Sequence, residues 1–277
     1  MRNAGMARVV PLALLAAVAV AGGAYKAFVH FSQPVTPALV TRTDDAHELL
    51  SPSIAARIDR FFRDRPPVDR SESPRLVALT FDDGPYPVET PLLLDVLADE
   101  HVRATFFLIG DDALQYPALT RRIAAGGHEI GNHTLTHPAD FEALDGEQVV
   151  HELDGAAAAL GRFVNDPAIR TMMRPPHGRF TEATAEAAQR DGYDIILWND
   201  DPGDWRAVPP ETLAEHIERY ATAPDIILLH SGRLATVEML PQVIRRFKAA
   251  GFQFVTVGEL LRRVPVVEID HPAKHPV

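Results

Sequence analysis

The chain has 277 residues, no cysteine, and 27 Lys plus Arg against 38 Asp plus Glu, a formal net charge of −11. That length suits one large α/β domain, because a single barrel of alternating strands and helices runs to roughly 250 residues. The acidic balance speaks against a nucleic-acid binder, and the missing cysteine excludes disulfides, thiolate metal sites and a cysteine nucleophile. Any metal must be held by His and carboxylate.

Residues 1–31 read as a secretory signal peptide or a signal anchor. Arg2 and Arg8 precede 17 consecutive uncharged residues, mostly Ala, Val and Leu, that end at Lys26. The basic end of such a segment stays on the cytoplasmic side. Its length sits at the short limit for a bilayer span, roughly 17–25 residues. Pro11 and Gly22-Gly23 weaken a membrane helix, and Ala19-Val20-Ala21 is a loose match to a cleavage site, so anchoring and release both stay open. Either outcome implies export to the periplasm or the outer face of the cytoplasmic membrane. Residues 32–74 form a stalk punctuated by prolines, with one helix expected from Ser53 to Arg63. Residues 266–277 carry two prolines and no periodic pattern, as a loose tail would.

Between these ends, residues 75–265 alternate short apolar runs with longer amphipathic ones. The predicted strands are Leu76–Phe81, Ala104–Ile109, His128–Gly131, Thr171–Arg174, Asp194–Trp198, Asp225–His230 and Gln253–Val257. The predicted helices are Val88–Glu100, Pro117–Ala125, Gly146–Phe163, Thr181–Arg190, Pro210–Tyr220 and Ala235–Ala250. Glycines just past several helices supply left-handed caps. Strands and helices in alternation imply a mainly parallel sheet, with a closed or nearly closed barrel as the leading geometry and an open doubly wound sheet as the fallback.

The polar residues fall in register with that map. Asp82-Asp83, His133, Arg174, Asp201, Asp204 and His230 all end or follow a strand, on the rim where β/α barrels build active sites. His101, His151 and His216 lie in helical or connecting positions and read as surface residues; His128 opens its strand at the other end and reads as structural. His133 and His137 are four residues apart, which on one helical turn would aim both imidazoles at one centre. A carboxylate from Asp82 or Asp83 is available as third ligand, and two His with one carboxylate leave coordination positions open, as a catalytic ion requires. Two adjacent carboxylates repel, a conflict that a metal beside one and an arginine beside the other would resolve. Arg174-Pro175-Pro176-His177-Gly178 is a stiff turn able to aim a backbone N–H at a developing oxyanion. Asp201-Pro202-Gly203-Asp204-Trp205 and Leu228-Leu229-His230 add an acid, an aromatic wall and a histidine suited to general acid chemistry.

In order and spacing, Thr80–Pro85, His133–His137, Arg174–Gly178, Asp201–Trp205 and Leu228–His230 resemble the polysaccharide deacetylase family, the chitooligosaccharide-deacetylase-like carbohydrate esterases. The resemblance runs from Leu76 to Arg262. It implies a distorted seven-stranded (β/α) barrel and hydrolysis of N-acetyl, sometimes O-acetyl, groups on a sugar polymer with a divalent ion, zinc first and cobalt or another ion as alternatives. It also implies residue roles. Asp83, His133 and His137 would hold the metal, Asp82 would be the base, and Arg174 would pair with Asp82 and orient it. Asp201 would orient His230, the acid that protonates the departing amine. The backbone N–H near His177 would face the oxyanion, while Trp205 and Leu228 would wall the acetyl pocket. His177 departs from the family, which usually has Tyr or Phe there, and Ser231 replaces a common acidic residue. The partner implied is an acetylated carbohydrate, chitin-like, peptidoglycan or exopolysaccharide; no motif addresses oligomeric state. Deformylation or O-deacetylation of another envelope glycan, or sugar binding without turnover, are the competing readings.

Overall fold

The computed structural model describes residues 75–264, so the segments 1–31 and 32–74 and the tail 266–277 lie outside the described residues. Among the described residues no helix is long and apolar enough to cross a membrane.

Seven strands form one parallel sheet: β1 (Arg75–Asp82), β2 (Thr105–Leu108), β3 (Glu129–Asn132), β4 (Met172–Met173), β5 (Asp194–Ile195), β6 (Asp225–His230) and β7 (Phe252–Phe254). Their order is β5-β4-β3-β2-β1-β6, with β7 paired to the first residues of β1. The helices are α1 (Glu89–Asp99), α2 (Gly110–Gln115), α3 (Pro117–Ala125), α4 (Gly146–Leu160), α5 (Glu182–Arg190), α6 (Pro210–Tyr220), α7 (Leu234–Ala249) and α8 (Val257–Arg263). Beyond β5 the chain swings back to β6: Asn199 N–H donates to Ile226 O at 2.9 Å, and Leu228 N–H donates to Asp200 O at 2.9 Å. That return curls the sheet into the expected distorted barrel and disposes of the open doubly wound alternative.

Alternation along β1 separates two cores. Val77, Leu79 and Phe81 face the helices, packed with residues such as Leu93, Leu97 and Ile244. Leu76 and Ala78 face inward and meet Phe107, Met172, Ile196 and Leu260 inside the barrel. The next residues in the alternation on β1, Thr80 and Asp82, are buried and polar. The barrel is therefore apolar at its foot and polar at its rim, and this gradient positions the site.

Two predicted strands are cut short for a visible reason. Asp194–Trp198 stops at Ile195 because Arg174 takes the carbonyls of Ile196 and Leu197, at 3.0 and 3.2 Å, where a ladder would continue. Thr171–Arg174 shrinks to Met172–Met173, since Pro175 and Pro176 cannot donate to a ladder. At the C-terminal end, Gln253–Val257 overshoots: Thr256 and Glu259 form a capping box that starts α8 at Val257. The short helix α2 was not expected from the sequence; its first N–H groups bond Thr134 O and Leu135 O, at 3.0 and 2.9 Å, so tertiary docking fixes it.

Candidate active site

Asp82 ends β1, and its Cα pairs with that of His230, which ends β6. Successive strand residues point to opposite faces. Asp83 escapes this rule with φ of +67°, a left-handed backbone that lets the second carboxylate serve the same space as the first. Ser231 fixes this corner: its N–H donates to Asp82 O and its hydroxyl to Asp83 O, both at 3.0 Å. Sequence reasoning gave Ser231 no role, and its placement beside the corner depends on the pairing of distant strands.

Asp83 Oδ1 lies 3.4 Å from His133 Nε2 and 3.5 Å from His137 Nε2. The two imidazoles meet through a loop rather than the helical turn expected from their spacing. Thr134 and His137 adopt φ of +68° and +54°, and the hydroxyl of Thr134 accepts the His137 N–H at 3.1 Å. His133 is buried, with Nδ1 2.8 Å from the Arg174 carbonyl. That bond makes Nδ1 the donor and leaves the Nε2 lone pair facing Asp83, the arrangement common to metal-binding imidazoles. Burial alone would raise the Asp83 carboxyl. The hydrogen bond and charge of His133, with His230 and His137 behind it, outweigh burial and hold it well below the usual carboxylate range. Burial and the charge of His133 push His137 down to about 4.

These three side chains fit a divalent cation. Four ligands at about 2.0–2.1 Å around a tetrahedral ion stand about 3.4 Å apart, the separation that both imidazole nitrogens keep from Asp83. Each offers one ligand atom, all within 4.8 Å of one another. Two imidazoles and a carboxylate also leave room for exchangeable ligands.

Arg174 is fully buried and fully engaged. Its Nη1 donates to Asp82 Oδ1 at 2.7 Å and to Thr80 Oγ1 at 2.8 Å. The guanidinium lies 4.2 Å from the centroid of Phe107 and 5.4 Å from that of Trp198, so it is clasped on its faces as well as its edges. Phe107 in turn reaches under it because residue 131 is glycine; a Cβ there would come within 2.5 Å of the Phe107 ring. Asp82 thus has one oxygen fixed by Arg174 and the other 3.9 Å from His133 Nε2, beside the ligand cluster.

One expected role belongs to another residue. Asp204, not Asp201, holds His230: its Oδ1 is 2.7 Å from His230 Nδ1, and its Oδ2 accepts the His230 N–H at 2.8 Å and the Thr236 hydroxyl at 2.6 Å. Asp201 instead caps the turn, accepting the Gly203 N–H at 2.8 Å and the Trp205 indole N–H at 3.5 Å. The two acids are three residues apart in one loop, and spacing alone does not say which turns inward. Burial would lower the His230 pKa, but Asp204, with Asp82 and Asp83, raises it to about 9.

The remaining expected residues line the opening. Leu228 lies on the inward face of β6, 4% exposed, between Ile226 and His230. Trp205 is 42% exposed, with the Arg206 guanidinium 4.4 Å from its ring centroid. His177 is exposed and left-handed, φ +56°, and packs edge-on against His137 at 4.9 Å between centroids. His216, expected as a plain surface residue, pairs with buried Asp200 at 2.8 Å and ties α6 to the root of the Asp201–Trp205 loop.

Comparison with known proteins agrees with this geometry. The sequence model of the family "Polysaccharide deacetylase" matches residues 69–196. A peptidoglycan-N-acetylglucosamine deacetylase of Bacillus cereus is 37% identical over 193 residues, covering 68% of this chain and 89% of the relative. A chitooligosaccharide deacetylase of Sinorhizobium fredii is 35% identical over 195 residues, covering 69% and 85%. Among solved structures, a peptidoglycan N-acetylglucosamine deacetylase in complex with 4-naphthalen-1-yl-N-oxidanyl-benzamide superposes with a TM-score of 0.65 at 32% identity, covering 69% of this chain and 90% of that one. Parallel barrel, rim constellation and sequence likeness converge: this chain belongs to the polysaccharide deacetylase family.

Proposed function

We propose that this protein hydrolyses N-acetyl groups on an N-acetylglucosamine-containing glycan of the cell envelope, with a divalent cation, zinc in the first instance, held by Asp83, His133 and His137. The observation that carries the reading is the convergence of a cation-sized ligand set, an arginine-anchored carboxylate and a carboxylate-backed imidazole on one rim. The basic-flanked apolar segment at residues 9–25 supports action beyond the cytoplasmic membrane.

A divalent cation held by Asp83, His133 and His137 would supply Lewis acidity toward an acetyl carbonyl and a water. Asp82 is placed to take the proton of the attacking water, because Arg174 occupies its Oδ1 and leaves Oδ2 toward the ligand cluster. Arg174 stays put through the reaction, gripped by two backbone carbonyls and two rings. His230 is protonated near neutral pH and delivers its Nε2 proton to the departing amine, while Asp204 on Nδ1 fixes its orientation. The backbone N–H of His177 is the donor assigned to the tetrahedral oxyanion. Leu228 closes the acetyl pocket, which favours a methyl, and Trp205 offers a flat face to a sugar ring.

The test is acetate release from N-acetylglucosamine oligomers and from peptidoglycan, alongside an O-acetylated glycan and an N-formylated amino sugar. Release from the first pair, abolished by chelation and restored by zinc, supports the reading. Preferential turnover of either of the last two replaces it, and saccharide affinity without turnover of any substrate contradicts it.

A further inference from the structure

We propose that Glu152, on α4, is a positioning residue that sets the separation of His133 and His137. This inference rests on the reading of Asp83, His133 and His137 as a cation site. The loop between the two imidazoles has a left-handed, non-glycine residue near each end, Thr134 and His137, and such a loop relaxes unless its middle is held. Glu152 holds the middle. Its Oε2 accepts the N–H groups of Leu135 at 3.0 Å and Thr136 at 2.9 Å, and its Oε1 accepts the Thr136 hydroxyl at 2.9 Å.

The carboxylate is 9% exposed and forms no ion pair among the described residues, so neutral donors of this one loop satisfy it. A buried carboxylate without a cationic partner is costly unless its oxygens are hydrogen-bonded, which ties the Glu152 side chain to this loop conformation. The same face of α4 receives the loop by shape. At Gly155, three residues along the helix, a Cβ would stand 2.7 Å from Leu135 Cδ2, so Leu135 sits in a notch beside the Glu152 contact. From the other side Asn132 accepts the Thr134 N–H at 2.8 Å and donates to Leu153 O of α4 at 2.9 Å. Both anchors therefore refer the two imidazoles to one rigid helix. Partners beyond the ligands commonly govern metal affinity in this way.

Geometry and charge separate in two substitutions of the full-length protein. E152Q keeps the length and a carbonyl oxygen able to accept both N–H groups, whereas E152D keeps the charge and withdraws it by one methylene. The measurements are the zinc dissociation constant, by competition with a chelating dye, and the visible spectrum of the cobalt-loaded protein. Expected are zinc binding about 10–100-fold weaker and altered cobalt bands in E152D and E152A, with E152Q close to wild type. V149A, which removes a buried core side chain from the same helix at a residue that bonds neither the loop nor Asn132, should lower thermal stability and leave zinc affinity intact. Wild-type affinity and bands in E152D overturn the proposal, as does an equal loss of affinity in V149A. If E152A does not fold, the E152D and E152Q pair decides. A wild type that binds neither ion overturns the cation reading itself, and this proposal with it.

Discussion

At the foot of the barrel, Glu129 accepts the Thr105 hydroxyl and the Gly258 N–H, both at 2.9 Å, and His128 accepts the Ala104 N–H at 3.1 Å on Nδ1. Each group is satisfied by donors nearby and serves to seal the end of the sheet. At the rim, Asp83, His133 and His137 turn their ligand atoms toward one another instead, and the backbone is bent to allow it. Asp83, Thr134, His137 and His177 are left-handed there, whereas at the foot only His101 is so among the described non-glycine residues. Strain of this kind costs of order 1–3 kcal/mol per residue and persists where surrounding contacts enforce it. Burial of polar groups alone therefore does not mark a site; unfavourable backbone together with mutually facing ligand atoms does.

The largest effect expected from breaking the rim is that of D82N, which should lower acetate release by about 10²–10⁴-fold while zinc stays bound, as metal analysis of the same sample would verify. Undiminished release with metal present would remove Asp82 as the base. Next comes the contrast between the two acids of one loop. D204N should cost about 10²-fold in kcat and move the basic limb of the pH profile to lower pH, because His230 loses the partner that raises it to about 9 while burial keeps lowering it. D201N should leave that limb in place; a shift with D201N and none with D204N would reverse the assignment. R174K should weaken activity by more than its effect on folding explains, since a lysine reproduces neither the two-ring clasp nor the four acceptors.

The foot offers a milder contrast. Burial, with the charge of Arg103, pushes the His128 pKa down to about 4, so the folded protein binds fewer protons there than the unfolded chain below pH 6.5. Its contribution to stability is present above pH 6.5 and is lost as the pH falls toward 4. Urea unfolding of the wild type and H128N should show this slope reduced in the variant, with acetate release at neutral pH unchanged. An identical slope in both proteins would remove His128 as its source. Smallest of all, T256A should lose about 1 kcal/mol through the cap of α8, read by the same unfolding curve, and leave activity alone.

The contrast also explains what could be read from the sequence. Helices such as Pro117–Ala125 and Pro210–Tyr220 were legible because one face of each packs on a core and the pattern repeats, and the strand Asp225–His230 because its short apolar run is covered on both faces. Asp82, Asp83, His133, Arg174 and His230 were legible as site candidates because each stands where a strand ends. Asp204 was in view yet given no role, because the choice between it and Asp201 depends on a turn at Gly203. Glu152, Asn132 and Trp198 left no local signal. Their significance comes from what long-range packing brings beside them. The shape of the His133–His137 loop was hidden for the same reason, since its left-handed residues oppose local preference and are held by Glu152 and Asn132.

The most direct test is the zinc content of purified wild type, D83A, H133A and H137A, measured after dialysis against limiting free zinc, with acetate release assayed on the same samples. One equivalent per wild-type chain is expected, lost together with activity in each variant, and chelated wild type should regain activity with added zinc. Full acetate release by metal-free wild type, or undiminished zinc in all three variants, would contradict the cation site at the rim.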